Sequence, residues 1–305
     1  MKGFKRVPVP VKVKPQVLQL DIIIPIRTPI TREPQRLFKI PCSRSGVEGL
    51  TTLIVPGLSG LGRIPFEKNI GPLAQLTGGR VMALDMPPLD GFNPSLMLGV
   101  EILEECMNQI SPASPVNLIG YSAGGIIVLN FAFRKPERIR KLVLVDSAGL
   151  GREICLNMRL LSLPVIGNIL ARLRLKPTEQ SVQKSLKKLF HDPNKIPNAL
   201  ALDILAQRAD WGFKKWREWY IEFLRAGVNF WGQKIIVLDQ LRTLSEKIPI
   251  LVVWGEHDRI LSCRQMILAK ANLPKVKIQV MENCGHWPQM EKPKEFSQVA
   301  ADFLR

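Results

Sequence analysis

Hydrophobic residues along this chain fall into short continuous runs that alternate with longer amphipathic stretches. A short run of Val, Ile and Leu is typical of a strand that is buried on both faces, as the strands of a parallel sheet are. Six runs are therefore predicted as parallel strands: TTLIV (51–55), RVMALD (80–85), PVNLIGY (115–121), KLVLVD (141–146), PILVVWG (249–255) and VKIQVME (276–282).

Amphipathic segments that follow these runs are predicted as helices. Pro94 and Ser95 open the first of them, and Pro136 stops the second. The regular alternation of strand and helix predicts an α/β fold with a mostly parallel, doubly wound sheet. The segments are PSLMLGVEILEECMNQI, AGGIIVLNFAF, SCRQMILAKANL and KEFSQVAADFLR.

The alternation stops between residues 150 and 245, where β-type runs give way to helical patterns. The predicted helices there are NMRLLSLPVIGNILARL, EQSVQKSLKKLF, NALALDILAQRA and KKWREWYIEFLRAG. An insertion at the carboxyl edge of a parallel sheet lies over the crevice where such folds bind ligands. We therefore predict an all-helical cap inserted into one core. The predicted organisation is a basic, Pro-rich segment of antiparallel strands (1–45), the first part of the core (46–149), the cap (150–245) and the second part of the core (246–305).

The composition supports a folded and strongly basic protein. Hydrophobic residues make up 46% of the chain and the formal net charge is +17. Residues 1–45 contain ten Lys and Arg against two acidic residues, and residues 150–245 contain sixteen against eight. Because no nucleic-acid-binding motif accompanies this charge, we interpret it as a general surface bias and expect no nucleic-acid partner.

Location and cofactors are predicted from segments that the chain lacks. It has no uninterrupted apolar stretch of about eighteen residues, which a membrane-spanning helix requires. The run LDIIIPI is too short and too interrupted by proline for a secretory signal, so we expect an intracellular, cytoplasmic protein. Five widely spaced cysteines without a CxxC pair and three scattered histidines indicate neither a disulfide framework nor a metal site, and we expect no cofactor.

The segment from Gly120 to Gly124, GYSAG, has the pattern G-x-S-x-G and lies between a predicted strand and a predicted helix. This is the context of a nucleophile elbow, a sharp turn that exposes a serine at a helix N-terminus. The neighbours two residues on either side must be almost free of side chain, which explains the two glycines. Ser122 is therefore a candidate nucleophile.

A serine hydroxyl needs a base to remove its proton and a carboxylate to orient that base. The partners are expected after later strands, in the order acid and then histidine. Asp258 follows the fifth run and His286 follows the sixth, so all three side chains are predicted at one edge of the sheet. Asp146, which ends the fourth run, is an alternative for the acid.

Six segments together resemble the α/β-hydrolase fold superfamily, in its cap-bearing branch of esterases and carbon–carbon bond hydrolases. The resemblance implies that Ser122 is the nucleophile, His286 the general base and acid, and Asp258 the orienting carboxylate. It also implies an oxyanion hole made by the main-chain N–H groups of Leu58 and Ala123. The chain has Pro-Gly where the family usually has His-Gly before the first donor. The segments are VPGLSGLG, ALDMPPLDGF, GYSAGG, LVLVDSAGL, VVWGEHDRI and CGHWPQMEKP.

Aromatic residues in the last predicted cap helix recur at helical spacing and are predicted to pack the cap onto the core. They are Trp216, Trp219, Tyr220 and Phe223. Part of this face, together with Leu160, Leu161, Leu163 and Ile166, is also a candidate wall for an apolar substrate pocket. We expect Tyr121, Trp287, Leu160 and Trp216 to contact the substrate. The flanking residues Lys214, Lys215, Arg217 and Arg225 leave open peripheral contact of this helix with an anionic membrane.

The sequence thus predicts a serine hydrolase that cleaves carboxylic esters with apolar acyl or alcohol groups. The alternative is hydrolysis of a carbon–carbon bond in a ring-opened aromatic metabolite of the 2-hydroxy-6-oxo-dienoate type, which Trp287 in GHWPQ favours. That group usually carries Asn before its nucleophile, where this chain has Tyr121. A non-catalytic binding member of the fold is the third alternative.

Overall fold

An eight-stranded sheet organises the described part of the chain, which comprises residues 16–26, 36–270 and 272–305 of a computed structural model. Its strands are β1 (Leu18–Ile26), β2 (Arg36–Ser45), β3 (Thr51–Val55), β4 (Arg80–Leu84), β5 (Val116–Tyr121), β6 (Ile139–Val145), β9 (Ile250–Gly255) and β10 (Lys277–Met281), with a separate pair β7 (Val228–Asn229) and β8 (Gly232–Gln233). The spatial order is β1-β2-β4-β3-β5-β6-β9-β10. The six strands from β4 to β10 pair in parallel, so the predicted mostly parallel sheet is confirmed.

Helices cover both faces of the sheet. In chain order they are α1 (Arg63–Thr77), α2 (Leu96–Ile110), α3 (Ala123–Arg134), α4 (Leu156–Ser162), α5 (Pro164–Arg174), α6 (Glu179–Leu189), α7 (Leu200–Asp210), α8 (Phe213–Gly227), α9 (Leu238–Ser245), α10 (Arg264–Lys270), α11 (Pro288–Glu291) and α12 (Pro293–Leu304). On one face α1 and α12 pack against the sheet through residues such as Phe66 and Phe296. On the other face α2 and α3 do so through Leu103 and Val128. The sheet is therefore doubly wound, as predicted.

Helices α4 to α9 lie between β6 and β9 and correspond to the predicted cap. The single helix predicted over NMRLLSLPVIGNILARL is wrong, because the chain breaks at Leu163 and restarts with Pro164 as the first residue of α5. Proline has no N–H group to donate and its ring clashes with the preceding turn, so it begins a helix rather than continuing one. Helices α1, α9 and α11 and the pair β7–β8 were not predicted.

The cap packs on the core through buried side chains. Val182, Leu186 and Phe190 join the same apolar cluster as core residues of the sheet. In α8 the indole N–H of Trp216 donates to the carbonyl oxygen of Ser59 at 3.1 Å, and the Trp216 side chain is buried. The aromatic face of α8 therefore faces inward, and contact of the flanking basic residues with an anionic membrane stays a prediction.

The N-terminal part of the chain supplies the antiparallel edge of the sheet. Strand β1 pairs with β2, and β2 pairs with β4, both antiparallel. The remainder of the predicted basic segment, residues 1–15 and 27–35, lies outside the described residues. None of the helices within the described ranges has the length and apolar character needed to cross a bilayer.

Candidate active site

Ser122 occupies a strained turn between β5 and α3. Its backbone angles are φ 52° and ψ −120°, a region that non-glycine residues rarely adopt. A Cβ atom on Gly120 would lie 2.4 Å from Cγ2 of Val128, and one on Gly124 would lie 2.3 Å from the carbonyl oxygen of Pro56. Only glycine fits at either position, so the two flanking glycines are what allows this turn to form.

Ser122, Asp258 and His286 lie together at the carboxyl edge of the sheet. They follow β5, β9 and β10 respectively, and β6 is the only strand between β5 and β9 in the sheet. Nε2 of His286 is 3.0 Å from Oγ of Ser122, and Nδ1 of His286 is 2.7 Å from Oδ2 of Asp258. The structure thus brings together three side chains that are far apart in sequence.

Hydrogen bonds fix the direction in which protons can move between these three side chains. Oδ1 of Asp258 accepts the main-chain N–H groups of Ile260 (2.7 Å) and Leu261 (3.0 Å), which orients its other oxygen toward His286. An ionised carboxylate only accepts hydrogen bonds, so Nδ1 of His286 carries the proton that it donates to Asp258. Nε2 then has a free lone pair that can accept the proton of the Ser122 hydroxyl.

A second carboxyl group lies behind this arrangement. Asp146 follows β6, has φ 42°, and accepts the main-chain N–H of Gly255 on Oδ1 at 2.8 Å. It is completely buried, and its Oδ2 has no hydrogen-bond partner among the described residues. Burial, followed by the charge of Asp258, raises the pKa of Asp146 well above its ordinary value. These effects favour the neutral form of Asp146, and Asp258 rather than Asp146 is hydrogen-bonded to the His286 ring.

The loop that carries His286 is attached to the cap by Glu291. This buried carboxylate accepts the main-chain N–H of Gly285 at 2.5 Å. It also accepts the main-chain N–H groups of His191 (3.0 Å) and Asp192 (3.1 Å), which follow α6 in the cap. One side chain thus connects the residue next to His286 with the cap, a role that the sequence analysis did not predict.

The two candidate oxyanion donors, Leu58 and Ala123, both lie along the wall of the cavity that contains Ser122. Ala123 is the first residue of α3, so its N–H has no carbonyl acceptor within the helix. The loop of Leu58 is pressed against the elbow, because a Cβ on Gly57 would lie 3.1 Å from Cβ of Ser122. Both residues thus lie beside Ser122, and their role as oxyanion donors stays a prediction.

A cavity of about 950 Å³ opens between the cap and the core and contains Ser122 and His286 in its wall. Its lining is mostly apolar, and the four residues expected to contact substrate all belong to it: Tyr121, Leu160, Trp216 and Trp287. Leu161 also lines it, whereas Leu163 and Ile166 do not, so their predicted place in the pocket is wrong. Ile166 lies after the break at Pro164 and is 50% exposed.

Arg208 of α7 brings a positive charge into this cavity. Its guanidinium lies over the ring of Trp216, 3.8 Å from the centroid, and its Nε is buried without a hydrogen-bond partner among the described residues. Burial lowers the pKa of Arg208 to about 10, so the side chain remains charged at neutral pH. A partly buried guanidinium that forms no ion pair with the described carboxylates is costly, and an anionic group of a ligand would compensate it.

One group of potential metal ligands, Asp146, Asp258 and His286, lies within the described residues. Both ring nitrogens of His286 are already engaged, by Asp258 and by Ser122. Oδ1 of Asp258 is bonded to two main-chain N–H groups. These contacts favour a proton-transfer arrangement over a metal centre.

Comparison with known proteins agrees with this architecture. The α/β hydrolase fold family matches residues 53–293, and the chain belongs to that family. An uncharacterized protein of Mycobacterium tuberculosis is 30% identical over 200 residues, 62% of this chain and 55% of that protein. The match thus spans about half of that relative's length. The 2-hydroxy-6-oxo-6-phenylhexa-2,4-dienoate hydrolase of Comamonas testosteroni is 27% identical over 262 residues, 82% of this chain and 84% of that protein.

Solved structures with the same fold include enzymes named for two different chemistries. The 2-hydroxy-6-oxo-6-phenylhexa-2,4-dienoate hydrolase of Rhodococcus sp. strain RHA1 has a TM-score of 0.73 at 17% identity, covering 94% of this chain and 99% of that one. A thermophilic esterase from Thermogutta terrifontis has a TM-score of 0.69 at 19% identity, covering 94% and 98%. At these identities the likeness shows the fold alone.

Proposed function

We propose that the protein is a serine hydrolase that cleaves carboxylic esters with apolar acyl or alcohol groups. The observation that carries this proposal is the chain of hydrogen bonds from Ser122 through His286 to Asp258, at 3.0 and 2.7 Å. The apolar lining of the cavity supports an apolar substrate, because binding would transfer the apolar surface of the ligand from water into the cavity, which is favourable.

The proposed reaction has two halves. His286 takes the hydroxyl proton as Ser122 attacks the carbonyl carbon, and the main-chain N–H groups of Leu58 and Ala123 hold the negative oxygen that forms. The C–O bond then breaks, and the alcohol leaves with the proton from His286. Water, deprotonated by the same histidine, attacks the acyl group on Ser122 and releases the carboxylic acid. Asp258 stabilises the protonated imidazole in both halves.

Turnover of p-nitrophenyl acetate and p-nitrophenyl butyrate tests this proposal. We expect the wild-type protein to hydrolyse both and Ser122→Ala to lose the activity while keeping the same thermal unfolding curve. A fluorophosphonate probe should label wild-type Ser122 and leave the variant unlabelled. A correctly folded Ser122→Ala protein with full turnover would exclude Ser122 as the nucleophile, and absence of labelling of the wild type would favour a non-catalytic binding protein.

A second candidate function is hydrolysis of a carbon–carbon bond in a 2-hydroxy-6-oxo-dienoate. The specific observation in its favour is Arg208, an unpaired cation in the apolar cavity, because such substrates carry a carboxylate. The name of the Comamonas relative, which is 27% identical to this chain, also favours this reaction. Loss of the dienoate's visible absorbance, at a kcat/KM above that for any p-nitrophenyl ester, would favour this reaction over ester hydrolysis.

A further inference from the structure

Helix α5 of the cap is packed with its small residues inward and its large apolar residues outward. Gly167 and Ala171, one turn apart, are buried, and a Cβ on Gly167 would lie 2.1 Å from the carbonyl oxygen of Leu161. A helix on the surface of a soluble protein normally buries its large apolar residues instead. The outward residues are Val165 (72% exposed), Ile166 (50%), Ile169 (56%) and Leu173 (59%), and we call them the α5 face.

Basic side chains surround the α5 face. Between residues 156 and 190 the chain has seven Lys and Arg and only one acidic residue, Glu179. Six of the basic residues are exposed: Arg172, Arg174, Lys176, Lys184, Lys187 and Lys188. Within the described residues none of these six forms an ion pair with a carboxylate. Their charge therefore remains available to an external anion.

The same residues border the mouth of the cavity. Leu173 belongs both to the α5 face and to the cavity wall, and Leu156, which is 62% exposed, also lines the cavity. Arg174, Lys176 and the lysines of α6 line it as well. A molecule that enters the cavity from this side thus passes between apolar side chains and free basic groups.

We propose that the α5 face and its basic surround dock the protein on the surface of an anionic lipid bilayer, with the cavity mouth toward the membrane. A helix that exposes an apolar face flanked by Lys and Arg binds at the bilayer interface, because the apolar side chains enter the acyl boundary while the basic groups meet lipid phosphates. The docked orientation gives an apolar molecule a path from the bilayer into the cavity without passing through water.

Charge and apolarity together favour lipid over other partners. A nucleic acid would satisfy the six basic groups but would leave the apolar residues of the α5 face in water. A second copy of the chain would cover those residues but would bring two sets of like charges together. An anionic bilayer satisfies both features at once.

Flotation with lipid vesicles tests the proposal without any assay of activity. We expect wild-type protein to bind vesicles of phosphatidylcholine mixed with phosphatidylglycerol at least about tenfold more tightly than vesicles of phosphatidylcholine alone, and to be released by salt. The double variant Val165→Ser/Ile169→Ser should bind the mixed vesicles at least about tenfold more weakly than wild type does. Leu37→Ser/Val47→Ser, which changes two exposed apolar residues outside the cap, is the matched control and should bind like wild type.

A charge variant tests the basic surround separately. Lys184→Gln/Lys187→Gln/Lys188→Gln should reduce the preference for anionic vesicles by about fivefold for each lysine removed. All variants must keep the wild-type thermal unfolding curve. The proposal is wrong if wild type does not bind the mixed vesicles, or if Val165→Ser/Ile169→Ser binds them as tightly as wild type. It is equally overturned if the protein binds single-stranded RNA but no vesicles, or if the α5 face proves to hold a dimer that Val165→Ser/Ile169→Ser dissociates.

Discussion

The carboxyl groups of Asp146 and Asp258 face each other in the interior behind His286. An oxygen of each lies within 4.8 Å of the other and of a ring nitrogen of His286. Two buried carboxyl groups this close disfavour each other's ionisation, so a proton shared between them is retained more readily than on an isolated carboxyl group. The raised pKa of Asp146 favours that proton on Asp146, whereas Asp258 is the carboxyl group within hydrogen-bond distance of Nδ1. The two carboxyl groups thus have different roles, since Asp258 orients His286 and burial favours the neutral form of Asp146.

This division of roles predicts opposite results for two matched variants. Asp258→Asn should lower kcat/KM for p-nitrophenyl butyrate by about 10²- to 10⁴-fold, because an amide cannot hold the imidazole in the required tautomer. Asp146→Asn should stay within about threefold of wild type, since asparagine matches the neutral acid and can still accept the N–H of Gly255. A loss in Asp146→Asn as large as that in Asp258→Asn would make Asp146 the triad acid.

The neutral state of Asp146 also predicts how stability depends on pH. In the unfolded chain this carboxyl titrates at about pH 4, and in the folded protein it titrates higher. Between these two values the unfolded chain has released a proton that the folded protein still holds. The contribution of Asp146 to the free energy of unfolding therefore falls as pH rises.

Asp146→Asn removes the titrating group and with it this fall in the free energy of unfolding at higher pH. The free energy of unfolding of the variant, relative to wild type, should therefore increase in urea titrations as pH rises above about 4. Activity assays play no part in this measurement. A difference between the two proteins that stays constant over this range would show that Asp146 is ionised in the folded state.

The strands were predictable because strands buried on both faces are continuous apolar runs. The run TTLIV coincides with β3, and the other five runs agree with their strands to within two residues at each end. Helix α1 was not predicted because Gly71 and Pro72 lie inside it and both disfavour helix. Packing of Phe66 and Ile70 against α12 and the sheet stabilises this helix, and that contact is not visible in the local pattern.

The turn at Ser122 requires glycine on both sides, and this predicts that alanine substitutions at two glycines of the chain will differ strongly in their effect on stability. Gly124→Ala should lower the free energy of unfolding by about 3 kcal/mol or more, because the added Cβ would lie 2.3 Å from a main-chain oxygen that cannot move independently. Gly227→Ala is the matched control. A Cβ on Gly227, the last residue of α8, would have no atom within 4 Å, and alanine has a higher helix propensity than glycine. Equal loss of stability in both variants in urea unfolding would contradict this account.

The roles of Glu291 and Arg208 could not be predicted from the sequence. Ser122, Asp258 and His286 follow strands whose edge is known from the fold, so their meeting place can be inferred. Glu291 acts instead through main-chain groups of His191 and Asp192, which lie 100 and 99 residues earlier in the chain, in a cap whose docking has no periodic signature.

 Arg208 is one of sixteen Lys and Arg between residues 150 and 245, and what distinguishes it is its place over the Trp216 ring in the cavity wall, which the local sequence does not show.

Glu291 is expected to stabilise both the cap and the loop of His286. Glu291→Gln replaces one acceptor oxygen by an NH₂ group that faces main-chain donors, so the free energy of unfolding should fall by about 1–3 kcal/mol. Because Gly285 adjoins His286, kcat for p-nitrophenyl butyrate should fall as well. Glu295→Gln is the matched control: this exposed residue pairs with Lys292 at 3.2 Å, and its loss should cost less than about 1 kcal/mol. Equal effects of the two substitutions in urea unfolding would show that Glu291 has no special role.

Arg208 distinguishes the two candidate reactions. If it holds the carboxylate of a dienoate, Arg208→Gln should lower kcat/KM for 2-hydroxy-6-oxo-6-phenylhexa-2,4-dienoate by about 30- to 100-fold, the effect of losing a charge-assisted hydrogen bond. The same variant should hydrolyse p-nitrophenyl butyrate within about threefold of wild type, because that ester has no carboxylate to bind. Arg217→Gln, in α8 and away from the cavity wall, should change neither value. An equal loss with both substrates would mean that Arg208 supports the packing of Trp216 rather than the substrate, and a dienoate that wild type does not cleave would reject carbon–carbon hydrolysis for this protein.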